Sequence, residues 1–251
     1  MISNNPFEQH GITYLSPSSM NLFIRNRPLW IMSYLFGVKD GSGVGAIRGI
    51  VTEETLAEKY KNNIFDYKYL EDRFFEECSN YQIDSEDKKT AKELNDLQRY
   101  GEVVDFNFQY ENLQGYQEKI NIQFDDIPVP IIGYIDFRFE DRVVDLKTTA
   151  RMPSKPSESA LRQMAVYQLG YPNLEIDLFY ASPREHKIFS LTKETLDIYR
   201  KQMIKIAFIM QDFLGSKETK EELAQSEFPD FERFDWSQNM KNEANKIWRI
   251  Q

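Results

Sequence analysis

Three ionisable side chains in the middle of the chain have the types and spacing for phosphodiester chemistry. Asp136, Asp145 and Lys147 lie in the segment GYIDFRFEDRVVDLKTT, residues 133–149. Its apolar and β-branched residues predict two short strands, with 140–142 as the turn between them. Residues i and i+2 of a strand point to the same face, so Asp145 and Lys147 should project together. Two carboxylates beside an amine are the groups that a metal-dependent phosphodiesterase needs.

The two carboxylates predict a metal site. Mg²⁺ prefers oxygen ligands and is usually held by one or two carboxylates together with substrate phosphate. Facing carboxylates resist joint ionisation unless a cation lies between them. We therefore expect Asp136 and Asp145 to bind the metal, with the backbone carbonyl of Leu146 as a further ligand. Lys147 would orient or deprotonate the attacking water, or stabilise the pentavalent transition state. The alternative is a surface hairpin with an ordinary Asp–Lys pair.

Two predicted helices add side chains to this site. Glu53 lies in RGIVTEETL, where Gly49 stands one helical turn earlier and allows a close approach. Glu53 is a candidate third metal ligand, and the alternative is an ordinary exposed helix acid. Gln163 and Tyr167 are four residues apart, on one face of a later helix. They could hydrogen-bond to phosphate or to the Lys147 region, or they could form a helix rim packed on the sheet edge.

Composition limits the class of protein. The chain has 251 residues, of which 41% are hydrophobic and 14% aromatic, so we expect a packed core rather than disorder. The single cysteine, Cys78, excludes a disulfide framework within the chain and favours a reducing cytoplasm. No segment approaches 18 consecutive apolar residues, and the N-terminal residues lack a signal-peptide pattern. We expect no contact with a membrane.

Charge is distributed unevenly along the chain. A net charge of −9 argues against a general nucleic-acid binder. The segments 20–50 and 142–162, which carry or flank the candidate site, are nevertheless rich in basic residues, whereas 215–245 is acidic. Chance clustering on solvated faces is the alternative explanation. If the basic segments bind DNA, the contacting side chains are Arg25, Arg48, Arg151, Lys155 and Arg162.

The order of the predicted elements gives an α/β fold with one central mixed β-sheet flanked by helices. Helices are predicted at 16–36, 46–61, within 66–100, and at 157–171, 192–214 and 236–248. Strands are predicted at 103–110, 119–124, 129–139, 142–149, 175–182 and 187–192. The first two strands should form a hairpin around the turn 112–115.

Four short motifs in order resemble the PD-(D/E)XK nuclease superfamily, in the branch of RecB-type and phage-recombination exonucleases. The similarity spans residues 14 to about 190, and D-x-K alone would be unspecific. The motifs G-x-x-x-E, G-x-x-D, D-x-K and Q-x-x-x-Y stand at Gly49–Glu53, Gly133–Asp136, Asp145–Lys147 and Gln163–Tyr167. The resemblance implies that Lys147 is the catalytic lysine, that Gln163 and Tyr167 support the site, and that the metal ligands are Glu53, Asp136 and Asp145.

The resemblance also implies a restriction-endonuclease-like core and a single nuclease domain over 1–251. Residues 1–100 would be its mostly helical part with the first metal-ligand helix, 101–191 the catalytic sheet core, and 192–251 the C-terminal helices.

One departure from related nucleases concerns an iron–sulfur cluster. Some relatives hold such a cluster with four cysteines, the first of them just before a proline. This chain has Arg27-Pro28 at that place and lacks the four cysteines, so we expect no cluster and terminal helices held by packing. Glu53 stands where the family often has histidine, which suggests an all-oxygen site for one or two Mg²⁺ or Mn²⁺ ions.

The resulting hypothesis is a metal-dependent exonuclease that hydrolyses DNA ends in recombination, replication or DNA processing. A phage origin would place it in the cytoplasm of the host cell, and a single-strand annealing or other recombination protein is a candidate partner. One alternative is a structure- or sequence-specific endonuclease of the same fold. Another is a non-catalytic module that binds DNA or docks a partner. The sequence leaves open the polarity, strand preference, processivity, oligomeric state and role of the acidic tail.

Overall fold

A five-stranded mixed sheet forms the centre of the computed structural model, which describes residues 5–84, 87–233 and 235–249. Its strands follow the order of the chain: β1 (Leu113–Ile122), β2 (Ile131–Phe139), β3 (Arg142–Thr148), β4 (Glu175–Ala181) and β5 (His186–Leu191). All neighbouring strands are antiparallel except β3 and β4, which are parallel. The predicted α/β class with one mixed sheet is therefore confirmed.

Helices cover both faces of the sheet. They are α1 (Pro6–Gln9), α2 (Pro17–Arg25), α3 (Arg27–Trp30), α4 (Val44–Asn62), α5 (Tyr67–Asn80), α6 (Lys88–Asn107), α7 (Glu158–Gly170), α8 (Lys193–Gly215), α9 (Lys220–Gln225) and α10 (Gln238–Trp248). A π-helical turn, Ile31–Leu35, continues α3. Within the described ranges, no helix has both the length and the apolar character needed to cross a membrane.

Side-chain alternation along the strands divides the core into two layers. Val143 of β3 packs with the cluster formed by α2, α7 and α8, whereas Val144 packs with the cluster formed by α4, α5 and α6. On β4, Leu178 and Phe179 divide in the same way. Successive strand residues point to opposite faces, so the sheet is buried on both sides. Helix α7 connects the parallel strands β3 and β4 across one face.

The predicted strand 103–110 is wrong, because this segment ends a helix. Helix α6 runs to Asn107, and Leu97, Tyr100 and Val104 lie on its buried side at spacings of three and four. The VVDFNF segment can be written as alternation, but the buried face shows that it continues a 3.6-residue period. Of the predicted turn 112–115, Asn112 lies just before β1 and the other residues belong to the start of that strand, which pairs with β2.

The predicted first helix, 16–36, is interrupted at Asn26. The buried Asn26 leaves the helical conformation, and its side chain accepts a hydrogen bond of 3.2 Å from the backbone N–H of Leu29, so that it caps α3. Pro28, two residues later, cannot donate a backbone hydrogen bond to a continuous helix. The other predicted helices agree with the structure to within a few residues, although 85 and 86 of the predicted 66–100 segment lie outside the described residues.

Candidate active site

Strand β3 places a carboxylate and an amine side by side. Asp145 is fully buried, and Lys147 Nζ lies 3.0 Å from its Oδ1 and 2.8 Å from its Oδ2. Leu146, between them, points into the α4–α5–α6 layer. The i, i+2 geometry of a strand thus joins the two charged groups on one face, as the alternation predicted. About one third of the Lys147 side chain is exposed, so its amine can be reached from solvent.

The second carboxylate enters from β2, where this strand begins to diverge from β3. The ladder between the two strands pairs Phe137 with Val144 and Arg138 with Val143. One residue beyond that ladder, the Oδ2 of the buried Asp136 accepts a hydrogen bond of 3.3 Å from the backbone N–H of Leu146. The Asp136 side chain thus occupies the gap between two separating strands and lies close to the acidic end of β3.

Helix α4, in the α4–α5–α6 layer, brings Glu53 to the gap between β2 and β3. A Cβ atom at Gly49, one turn earlier, would lie 3.2 Å from Oγ1 of Thr148 at the end of β3. That distance is tighter than ordinary packing, so the glycine lets α4 lie close to the strand that carries Lys147. The expected close approach is therefore present. Glu53 Oε1 accepts a short hydrogen bond from Nε2 of Gln117, a β1 residue.

Helix α7 supports the lysine from the opposite layer. Lys147 Nζ donates to Gln163 Oε1 at 3.5 Å, and Gln163 Nε2 donates to the Tyr167 hydroxyl at 2.6 Å. A Cβ at Gly133 would come within 2.9 Å of Cε1 of Tyr167. The motif glycine of β2 is therefore needed for the Tyr167 ring to pack against the sheet. The four motifs of the sequence thus converge on one place.

Burial and mutual repulsion perturb the acids of this cluster. Burial, followed by the negative charges of Asp145 and Glu53, raises the pKa of Asp136 well above its usual value. Burial and the charge of Asp145 raise the pKa of Glu53 to about 7, although the hydrogen bond from Gln117 opposes that shift. Burial alone would lower the pKa of Lys147, but Asp145 and Asp136 outweigh it and raise that pKa. The amine is therefore held as an ammonium.

The donor set fits a divalent cation. Oδ2 of Asp145 is buried and receives no aligned hydrogen bond in the described part of the chain, although Lys147 Nζ lies near it. Two adjacent buried acids with an unsatisfied oxygen gain stability when a cation shares them, and oxygen ligands suit Mg²⁺ or Mn²⁺. Asp136 and Asp145 would hold such an ion. The backbone carbonyl of Leu146 stays a predicted further ligand.

Glu53 is not yet in a ligating position. Among the described residues, no three histidine, cysteine or acidic side chains converge into a ready metal-binding group. The amide of Gln117 lies between the carboxylates of Glu53 and Asp136. No sequence pattern identified Gln117, since it stands on β1 outside all four motifs.

The raised pKa of Glu53 predicts how stability depends on pH without metal. The folded protein keeps the Glu53 proton up to about pH 7, whereas the unfolded chain loses it near 4.5. Stability should therefore fall as pH rises through this window. The unfolding free energy of Glu53→Gln, relative to that of wild type, should therefore increase from about pH 5 to about pH 8. Urea denaturation in EDTA measures both free energies. If the difference in unfolding free energy between Glu53→Gln and wild type is the same at both pH values, the raised pKa of Glu53 is contradicted.

The four arginines and one lysine expected to contact DNA divide into two groups. Arg25, Arg151 and Lys155 are exposed and stand free to meet a substrate on at least part of their surface. Arg48 and Arg162 are buried, and both are hydrogen-bonded within the protein. A buried guanidinium that donates to other groups of the protein is poorly placed to meet a phosphate, so the geometry argues against DNA contact by these two. They act instead as internal supports.

A cavity of about 610 Å³ opens beside the amine. Lys147 and Gln163 line it, together with Arg25 and the half-exposed Tyr34. Of the aromatic side chains near the N-terminus, Phe23 and Trp30 are buried core residues. Hydroxyl groups complete the lining, from Ser18, Thr148, Thr149, Ser157 and Ser159. Hydroxyls and a guanidinium around an ammonium form a surface that suits phosphate oxygens.

Comparison with solved structures and family models shows what this chain is similar to. A crystal structure of a protein from Eubacterium rectale named "Putative exonuclease" has a TM-score of 0.60 and 15% sequence identity, covering 96% of this chain and 92% of that one. A second solved structure, of SSO0001, has a TM-score of 0.31 and 15% identity over 64% of this chain and 74% of that one. No curated protein matched the sequence. The family model of the PD-(D/E)XK nuclease superfamily matches residues 14–249. The chain belongs to the PD-(D/E)XK nuclease superfamily.

Proposed function

We propose that this nuclease is a Mg²⁺- or Mn²⁺-dependent exonuclease that hydrolyses phosphodiester bonds at DNA ends. The observation that supports it most is the convergence of Asp136, Asp145 and Lys147 with Glu53 beside a polar cavity. The Eubacterium rectale neighbour, which shares the fold over almost the whole chain, carries the name "Putative exonuclease".

Each side chain has a distinct task in this proposal. Asp136 and Asp145 bind the divalent cation, which, when bound, supplies an activated water and polarises the phosphoryl oxygen. Lys147, held as an ammonium, stabilises the negative charge that develops on the phosphoryl group. Gln163 fixes the position of that ammonium, and Tyr167 fixes Gln163. Before the cation binds, Asp145 and Asp136 raise the pKa of Lys147 and keep the proton on its amine.

The direct test uses linear duplex DNA and the same sequence as a closed circle, each with Mg²⁺, Mn²⁺ or EDTA. We expect progressive loss of the linear DNA with either metal, and intact circles. Cleavage of closed circles would favour the endonuclease alternative. The absence of digestion in both metals would contradict any catalytic function and leave the non-catalytic binding module. Labels at the 5′ or 3′ end of the linear substrate would give the polarity in the same experiment.

Exposed basic side chains next to the cavity should guide the DNA backbone. Arg151 lines a neighbouring cavity of about 560 Å³, together with Arg184 and Arg99, and Lys155 lies on the same exposed segment after β3. We expect Arg151→Ala and Lys155→Ala each to weaken DNA binding regardless of the DNA sequence. In each variant, the magnitude of the slope of log affinity against log salt concentration should decrease by about 1. Fluorescence anisotropy over a salt series measures the slope. Arg200→Ala on α8 is the matched control, and a slope equal to wild type in both variants would refute the contact.

The biological setting forms part of the same proposal. We propose that residues 1–251 work as one nuclease domain in the cytoplasm, which is that of the host cell if a phage encodes it. DNA recombination or replication would supply its ends, and a single-strand annealing protein would be its partner. Co-purification of the tagged protein with such a partner from the source cells tests this setting independently of the nuclease assay.

A further inference from the structure

Gln117 has an unusual backbone for a residue inside a strand. On β1 it stands between the pairs Tyr116–Phe137 and Glu118–Ile135, which places it opposite Asp136. Its φ of 49° lies in the left-handed region, where a residue with a side chain is strained. Such strain persists where the surrounding structure holds it, and it is frequent at functional sites. The side chain of Gln117 points toward the carboxylates of the candidate active site.

The side chain of Gln117 joins two of the acids. Its Nε2 donates a short hydrogen bond to Oε1 of Glu53 and lies 3.5 Å from Oδ1 of Asp136. A single N–H₂ group thus faces two carboxylates from different layers of the protein. A cation would fill the same place when these two groups are ionised, because both then direct negative charge to one point.

We propose that Gln117 is a positioning residue that holds Glu53 and Asp136 in a metal-free arrangement and competes with the divalent cation for their oxygens. Gln117 is exposed, so its amide has solvent into which it can turn when the ion enters. The release of Glu53 from the amide would complete the three-carboxylate site. This inference rests on the proposed metal dependence, since it concerns the same carboxylates.

The competition predicts that removing the amide strengthens metal binding. Gln117→Gly is the suitable change, because glycine adopts a positive φ without strain and deletes the amide. We expect the full-length variant to bind Mn²⁺ about tenfold more tightly than wild type, the scale of one hydrogen bond to a charged group. Isothermal titration calorimetry without DNA gives the affinity independently of catalysis. The matched control is Asn112→Gly, since Asn112 has a φ of 58° just before β1 and makes no hydrogen bond to the three acids among the described contacts.

The outcomes separate this inference from the proposed function. Unchanged or weaker Mn²⁺ binding by Gln117→Gly overturns the proposed competition. Weaker binding would indicate instead that the side-chain carbonyl of Gln117 is a metal ligand. An equal gain in Asn112→Gly also overturns it, because relief of backbone strain would then be the cause. A purely structural role would shift the melting temperature in EDTA without changing the Mn²⁺ affinity. If wild type and Asp145→Asn both fail to bind Mn²⁺, the inference and the proposed metal dependence fall together.

Discussion

Replacing Lys147 by alanine should lower the rate of DNA hydrolysis about a hundredfold to a thousandfold, the usual loss when one group that stabilises transition-state charge is removed. The amine lies within 3.0 Å of a carboxylate of the proposed metal site, borders the cavity and is held protonated by its acidic neighbours. Because this charge acts on the transition state, we expect kcat to fall far more than KM changes. Single-turnover cleavage of end-labelled linear DNA measures the rate of the hydrolysis step.

Two controls make the Lys147 result specific. Lys205→Ala removes an exposed lysine of α8 outside the site and should leave the rate unchanged. Thermal melts of Lys147→Ala with Mn²⁺ show whether the site still folds, because the cation replaces the missing positive charge beside Asp145 and Asp136. A folded Lys147→Ala protein that cleaves DNA at nearly the wild-type rate would remove this lysine from the mechanism.

Replacing Arg48 by alanine should destabilise the protein by about 3–5 kcal/mol, as when one partner of a buried ion pair is deleted. The guanidinium forms a short ion pair with the buried Glu93 and lies 4.3 Å from the centre of the Tyr100 ring. Its remaining donors bind the Oγ1 of Thr148 at 3.3 Å and the carbonyl of Thr148 at 3.2 Å. Urea denaturation of Arg48→Ala and wild type measures the loss.

A double variant distinguishes the ion pair from general damage. In Arg48→Met/Glu93→Leu both charges are absent, so no uncompensated charge stays buried, and much of the lost stability should return. The nuclease rate should recover less, because Arg48 also anchors Thr148, the residue directly after Lys147. A loss below about 1 kcal/mol in the single variant, or a double variant less stable than the single, would contradict this account.

Strands β2 and β3 could be predicted from sequence because the patterns that indicate them are local. Alternation along β3 fixed which residues share a face, and Asp145 and Lys147 do point the same way. Motif order then indicated that two helices add side chains to this site, and Gly49 and Gly133 mark the places where helices lie close to strands. Composition and element order were sufficient for the α/β class.

Other features depend on contacts between distant segments and could not be predicted. The basic character of Arg48 and Arg162 suggested DNA contact, but their burial follows from packing against Glu93 and Asn21. The segment after Tyr100 alternates well enough for a strand, yet tertiary packing keeps it helical. The role of Gln117 could be recognised only from its backbone conformation and its two carboxylate neighbours in the structure.

The most direct test of the central claim compares wild type with Asp145→Asn for Mn²⁺ binding and for degradation of linear DNA in parallel. Asparagine keeps the size of the side chain and removes its charge, so the fold should persist while the metal site is lost. We predict that wild type binds Mn²⁺ and degrades the DNA, and that Asp145→Asn does neither. A folded Asp145→Asn protein that degrades DNA at the wild-type rate, or wild-type digestion that continues in EDTA, would contradict the claim.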